Sequence, residues 1–461
     1  SVLRSLASAR GRDPVKDPRL CLKPRRPVVF KGVSLPLRAM HKSDLDTIKA
    51  SWDSILAALA AAGFENLECS SGAGLDAVHS LCRLAWWLVK TAAFSGVGSA
   101  LKQLKDWSSE LRLWVVSCVS PRDRRGGFAR WFQGPLRTLV DSDVKALQVS
   151  YLGRSLPYGG RGVMASALKK HRECLTSSHT TPAPLLEQAR RFAQNWGALH
   201  LGQPFGQAVR LAGGSCLEAT RREGGHSQYL FGELLKVEDL RTSPEWKRRA
   251  AAIESVPETT DCHRDLAVRD SFLRDVCLDQ IQPILTGEVI PSAQVLVIPE
   301  RGWKARIVTK GAAPFVYLAH YLRVWLLQGL KRDGRAAEVL SGDHIEAAIR
   351  VGRPGSDVAN RDLISADLTA ASDYLPYDLL DALVEGLLQG AGSSLPVWGH
   401  QLLRALIGPQ QLKYPDGQVV LSRRGSLMGL PVTWVLLSLT QLFWAECGWE
   451  AIWSLVDPKF R

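Results

Sequence analysis

"ISADLTAASDYLPYDLL", residues 364–380, sets Asp367 at the end of an apolar, strand-like run and Asp373 six residues later, among small and hydroxylated side chains. An ordinary turn and helix cap accounts for both acids, because Ser365, Thr369 and Ser372 are short polar residues that hydrogen-bond to nearby backbone. A second reading is chemical. An aspartate at a strand end is fixed by its sheet yet open to a cleft, which suits a divalent cation, and the acid just past it is then placed to read a substrate. "DLISAD" predicts the strand. Pro376 then opens a leucine-rich helix that stops at Gly390.

The flanks carry related signals. "QVLVIP" (294–299), the turn "ERGW" and "KARIVTK" (304–310) predict a β-hairpin. Two-residue alternation puts Lys304, Arg306, Val308 and Lys310 on one strand face, with no acid in the immediate sequence of "KARIVTK" to partner the three cations. They suit the phosphates of a nucleotide, or simply form a solvated face. A long apolar helix, "APFVYLAHYLRVWLLQGL", follows. Further on, "QLKYPDGQVVLSR" predicts a second hairpin with Pro415, Asp416 and Gly417 at its tip. Then "RRGSLMGLPVTW" (423–434) places Gly425, Ser426 and Gly429 in a small-residue loop before a helix that bears Thr433 and Ser438. Glycine lets backbone approach a ligand closely, and the two hydroxyls suit a ribose or base edge; a glycine turn at a helix start reads the same way.

The first half is helical in pattern. Ser43 with Asp46 resembles a capping box ahead of "TIKASWDSILAALAAAGF". "LDAVHSLCRLAWWLVKTAAF" and "LKQLKDWSSELRLWVVSCV" repeat apolar residues at helical spacing. Breaks fall at "SPRDRRGG" (120–127), "LPYGGRG" (156–162) and "TRREGGHSQ" (220–228).

The chain has 461 residues, a formal net charge of +13 and a pI near 9.4, which favours a polyanionic partner, nucleic acid first. Nine cysteines without a CxxC pair argue against a zinc ribbon or disulfide framework and for reduced thiols. The Arg-rich start lacks the apolar run of a secretory signal, while a mitochondrial transit peptide stays open. Residues 427–449 are nearly uncharged, but Pro431 and Glu446 bound an uninterrupted helix shorter than the ~20 residues of a membrane span, so a buried core helix is expected.

In order and content these segments resemble the viral RNA-dependent RNA polymerases of the narnavirus and ourmia-like (botourmia) groups. "ERGWKARIVTK" is similar to their basic finger motif, "DLTAASD" to their first palm motif and "GSLMGLPVTWVLLSL" to their second; "SCLEATRREGG" (215–225) also resembles a segment of the ourmia-like group. The resemblance implies an α+β right-hand polymerase with a helix-rich N-terminal region. Residues 1–225 would be a helical region supporting the fingers, 226–360 the fingers with the basic hairpin 294–310, and 361–461 a partial palm. It also implies roles. Asp367 would be catalytic and bind Mg2+, with Mn2+ as the alternative ion. Asp373 would sense the 2′-hydroxyl of the incoming ribonucleotide, and Lys304, Arg306 and Lys310 its phosphates. Thr433 and Ser438 would help hold the nucleotide, and Gly425, Ser426, Met428 and Gly429 would support the template.

The family's third palm motif carries Gly-Asp-Asp, and that triplet occurs nowhere in the sequence; "SGDH" (341–344) precedes Asp367. The expectation is a truncated or divided polymerase, inactive alone, that takes Gly-Asp-Asp in cis or from a second viral protein. RNA template, RNA product and nucleoside triphosphates are the expected partners, with no membrane span. A composition rich in Ala, Arg, Gly and Leu points to host cytoplasm rather than mitochondrion. The alternative class is a non-catalytic basic RNA-binding or scaffold protein. Reverse transcriptase, which shares the palm, is disfavoured by the acid at 373 and the "GSLMGLP" loop.

Overall fold

The computed structural model describes residues 42–59, 72–117, 142–202, 205, 209, 213–236, 243–254, 261–340, 342 and 368–456, and two short strands, β1 (Val28–Phe30) and β2 (Val33–Leu35). Elements then follow in chain order: α1 (Lys42–Leu59), α2 (Gly72–Ser95), α3 (Val97–Ser117), α4 (Asp143–Ser150), α5 (Leu152–Ser155), α6 (Arg161–Thr176) and α7 (Ala183–His200). After them come α8 (Gly225–Leu235), α9 (Pro244–Glu254), α10 (Asp261–Leu285), the strands β3 (Ser292–Glu300) and β4 (Lys304–Gly311), α11 (Ala313–Arg332) and α12 (Gly334–Leu340). The chain continues through α13 (Tyr377–Ala391), α14 (Val397–Ile407), β5 (Gln411–Lys413), β6 (Val419–Leu421) and α15 (Thr433–Val456). The fold class is α+β.

The chain forms two compact units: Ser1–Ala167 with Ile298–Arg306, and Leu168–Val297 with Ile307–Arg461. The β3–β4 hairpin therefore contributes its tip to the first and its base to the second. Of the expected boundaries, 225 falls inside the second unit and 360 lies outside the described residues.

The first unit is helical. Apolar residues at helical spacing on α1, α2 and α3, among them Trp52, Ile55, Leu101, Leu104 and Trp107, close on Leu152 and Leu156 to form its core, with Trp303 of the hairpin tip packed against it. Helix α1 begins at Lys42, so Ser43 sits inside the first turn and is not its cap; its carbonyl accepts from the Thr47 hydroxyl at 2.7 Å. The break "SPRDRRGG" lies outside the described residues.

The second unit surrounds α11, whose Phe315, Leu318, Leu322, Trp325 and Leu326 are buried with leucines of α13 and α14 and with Val435, Leu436, Leu439 and Phe443 of α15. Pro314 sits in the first turn of α11, where its missing N–H costs nothing. A four-stranded sheet in the order β4-β3-β5-β6 borders this core; β3 pairs in parallel with β5 (Ser292 with Gln411), and β5 antiparallel with β6. Both predicted hairpins are present. The predicted "DLISAD" strand lies outside the described residues.

Helices α7 and α13 approach closely in this unit. A Cβ on Gly386 would sit 2.1 Å from the Arg190 carbonyl oxygen, and one on Gly390 2.1 Å from that of Gln194. Glycines four apart present one bare stripe, so the partner backbone lies directly against it. An Arg190–Glu385 ion pair at 2.8 Å borders the crossing.

Helix α15 corrects two details. It starts at Thr433, two residues after Pro431, and continues past Glu446 to a length of 24 residues. Even so, no helix among the described residues is long and apolar enough to cross a membrane. Cys174, Cys216, Cys277 and Cys447 take part in no disulfide.

Candidate functional site

The site is assembled in the second unit from three chain segments: the turn 368–376, the loop 423–430 and the end of β4. The turn is tight. Asp373 and Tyr374 donate their N–H groups to the Ala370 carbonyl at 3.0 and 3.2 Å, and Ala370 takes a left-handed backbone with φ 52°. Asp373 is held half-buried there, and burial pushes its carboxyl up to about 6, with the Ser372 hydroxyl bond partly offsetting the rise.

The loop lies directly on this turn. Gly425 and Ser426 donate backbone N–H bonds to Leu375 and Ser372 at 2.7 and 2.8 Å. Gly425 has φ +93°, and a Cβ on it would meet Leu175 at 2.4 Å and the Asp373 carbonyl oxygen at 2.9 Å, so both its conformation and its surroundings require glycine. At the other end of the loop Gly429 packs on β4, where a Cβ would lie 1.9 Å from the Thr309 carbonyl oxygen. Met428, between them, is 50% exposed.

The hydroxyls inside the loop are used internally. Thr433 is buried; it donates to the Leu427 carbonyl at 2.6 Å and accepts from the Ser426 hydroxyl at 2.9 Å. Ser438 is half-buried and donates to the Trp434 carbonyl of its own helix at 2.9 Å. These bonds make Thr433 and Ser426 braces of the loop.

Along β4 the predicted alternation is present: Lys304 and Arg306 are exposed, Lys310 is half-buried, and Thr309 on the opposite face is buried. Lys304 and Arg306 fall in the first unit and Lys310 in the second. Arg306 pairs with Glu300 at 2.8 Å across the hairpin, an exposed pair of small energetic weight and a partner that the spacing within "KARIVTK" did not reveal.

Two contributions come from residues that the spacing of motifs did not single out. Arg424 donates to the Tyr374 carbonyl and lies 5.0 Å over that ring, which fixes the rim of the turn. From the 215–225 segment, Leu217 donates to the Gly311 carbonyl at 3.1 Å, and the Glu218 carboxylate accepts from the Ala313 N–H at 2.9 Å. That segment contains a true capping box, Thr220 with Glu223, where the sequence suggested only a polar break. Bonds from the Thr220 backbone and side chain hold the Glu223 carboxyl below its ordinary value, and nearby Lys310 adds to this. Sequence similarity was the signal for this segment; for Arg424 there was only a pair of arginines 50 residues from Tyr374.

Asp367 lies outside the described residues. Among the described residues no group of three or more His, Cys, Asp or Glu is placed to hold a metal ion.

Comparison with known proteins gives two relatives. The chain is 34% identical over 381 residues to the RNA-directed RNA polymerase of Saccharomyces 20S RNA narnavirus, covering 81% of this chain and 41% of that protein. It is 33% identical over 317 residues to the RNA-directed RNA polymerase of Saccharomyces 23S RNA narnavirus, covering 66% of this chain and 32% of that protein. The chain thus spans well under half the length of the curated relatives it matches. No family model and no solved structure matches it.

Proposed function

The chain belongs to the family of the narnavirus RNA-directed RNA polymerases, and from that membership we propose that it takes part in RNA-templated RNA synthesis, supplying the fingers and the first part of the palm of a right-hand polymerase. The observation that carries the reading beyond similarity is the meeting of three motif segments in one place. Gly425 packs on Asp373 of the first palm motif, and Gly429 packs on Thr309, next to Lys310 of the basic strand.

In this reading Asp373 accepts a hydrogen bond from the ribose 2′-hydroxyl, the group that separates ribonucleotides from deoxyribonucleotides. Lys310, in the same unit as Asp373, neutralises phosphate charge. Gly425, Ser426, Met428 and Gly429 support the template strand, with Thr433 bracing that loop from beneath and Ser438 one turn further along α15. Asp367 is the residue that would hold Mg2+ or Mn2+. The bound ions would activate the attacking 3′-hydroxyl and stabilise the leaving pyrophosphate oxygen. Two-metal chemistry needs a further carboxylate beside Asp367, and we assign it to a Gly-Asp-Asp segment acting in cis or from a second viral protein. Host cytoplasm is the proposed location.

The test is calorimetric and catalytic. Titration of the chain with a nucleoside triphosphate in Mg2+ is expected to give binding that Asp367→Ala abolishes, with RNA affinity retained. Once the Gly-Asp-Asp segment is supplied, the wild-type chain is expected to incorporate nucleotides on an RNA template and the Asp367→Ala chain to make none. Nucleotide binding indifferent to Asp367, together with RNA binding, would point instead to a basic RNA-binding or scaffold protein.

A further inference from the structure

The "LPYGGRG" break, which the nucleotide site does not use, joins the hairpin tip in the first unit. Gly302 donates its N–H to the Leu156 carbonyl at 2.7 Å, Trp303 to that of Pro157 at 2.8 Å, and Gly159 to that of Glu300 at 3.2 Å. The fit is close: a Cβ on Gly159 would sit 2.3 Å from the Lys304 carbonyl oxygen, and one on Gly160 3.1 Å from the Trp303 ring. Two stretches far apart in sequence are thereby held as one surface.

Its exposed side chains alternate in chemistry. From Tyr151 to Gly162 the exposed residues with side chains are Tyr151, Arg154, Tyr158 and Arg161; Leu152 and Leu156 are buried, and the stretch has no acid. The tip adds exposed Arg301 and Lys304. Guanidinium groups lie near the aromatic rings: Arg112 and Arg154 at 5.3 and 5.4 Å from the Tyr151 centroid, and Arg301 at 5.9 Å from that of Tyr158. The rings remain 44% and 57% exposed. The cations are close enough to feel one another, since burial and then the Lys304 ammonium hold the Lys105 amine below its ordinary value.

We propose that this face of the first unit binds single-stranded RNA, with bases stacking on Tyr151, Tyr158 and the guanidinium planes, and phosphates meeting Arg154, Arg161, Arg301 and Lys304. The choice of RNA among polyanions rests on the polymerase reading. Flat aromatic faces reward unpaired bases over a duplex, whose bases are already stacked. An anionic membrane fits less well, because the leucines of the stretch are buried and leave no aliphatic side chain to insert.

Fluorescence anisotropy of the full chain with a labelled oligouridylate of about 12 nucleotides, a length within the span of single-strand sites, tests this. Tyr151→Ala and Tyr158→Ala should each weaken binding about tenfold, whereas Tyr158→Phe keeps the ring and should bind as wild type. Arg301→Ala and Lys304→Ala should each reduce the slope of log affinity against log salt by about 0.7. The proposal is overturned by wild-type affinity in both alanine variants, by equal loss in Tyr158→Phe and Tyr158→Ala, or by tyrosine-dependent binding that prefers duplex RNA or phosphatidylserine vesicles. Its failure is separable from that of the polymerase reading. Tyrosine-dependent RNA binding without Asp367-dependent nucleotide binding supports this surface and removes the polymerase; the converse removes this surface alone.

Discussion

Gly429 stands so close to Thr309 that a single methyl group on it would lie 1.9 Å from the Thr309 carbonyl oxygen. This contact ties the loop 423–430 to the basic strand of the hairpin, two segments that are far apart in sequence. Gly429→Ala must push the loop from β4 and is expected to cost about 1–3 kcal/mol, the usual range for overpacking against atoms that cannot yield. Met428→Ala, at an exposed neighbour, should change stability by less than about 0.5 kcal/mol. Chemical denaturation of the two variants checks the difference, and equal midpoints would disprove the close approach.

The Thr433 hydroxyl bridges Ser426 and the Leu427 carbonyl inside the loop, whereas Ser438 bonds only its own helix. Thr433→Val keeps the shape and strips the bridge, leaving the buried Ser426 hydroxyl without its acceptor, at an expected cost of about 1–3 kcal/mol. Ser438→Ala should be nearly neutral for folding. If Thr433→Val unfolds like wild type yet binds nucleotide poorly, the hydroxyl contacts ligand and is not a brace.

Asp373 titrates near 6 in the folded chain against an ordinary 3.8, because burial disfavours its charged form. The unfolded chain therefore gives up this proton first, so stability falls as pH rises from about 3.8 to about 6 and the deficit persists above that. With one pKa unit equal to about 1.4 kcal/mol, the full penalty is about 3 kcal/mol. Asp373→Asn should be more stable than wild type at pH 7 and similar to it near pH 3.5, as urea denaturation at the two values would reveal. In nucleotide binding the same substitution, like Asp373→Ala, should weaken the preference for ribose over deoxyribose. Unchanged discrimination would count against the 2′-hydroxyl role.

Helices α7 and α13 cross on Gly386 and Gly390, with partner carbonyls 2.1 Å from where each Cβ would be. Gly386→Ala and Gly390→Ala gain helix propensity, up to about 1 kcal/mol each. They also force the helix backbones apart, at a cost of about 1–3 kcal/mol. Net destabilisation is expected at both positions, measured as a lower unfolding temperature. Stabilisation at either would mean that the crossing is looser than described.

The sequence by itself determined the elements and the family. Alternating residues in "KARIVTK" made a strand with one cationic face, leucines after Pro376 made α13, and uncharged residues after Leu427 made a core helix, because burial periodicity is a local property of the chain. The motif segments likewise identified the relatives. Tertiary structure decided what each glycine and hydroxyl does. That Gly425 needs φ +93° under Asp373, that Thr433 spends its hydroxyl on Leu427 and that Arg306 meets Glu300 all depend on neighbours the local pattern does not specify. The same holds for the Tyr151–Arg301 face, where a glycine-rich break became a platform only once the hairpin tip was bonded to it. Close approach, hydrogen-bond partnership and desolvation are relations between segments, and only folding brings those segments within reach.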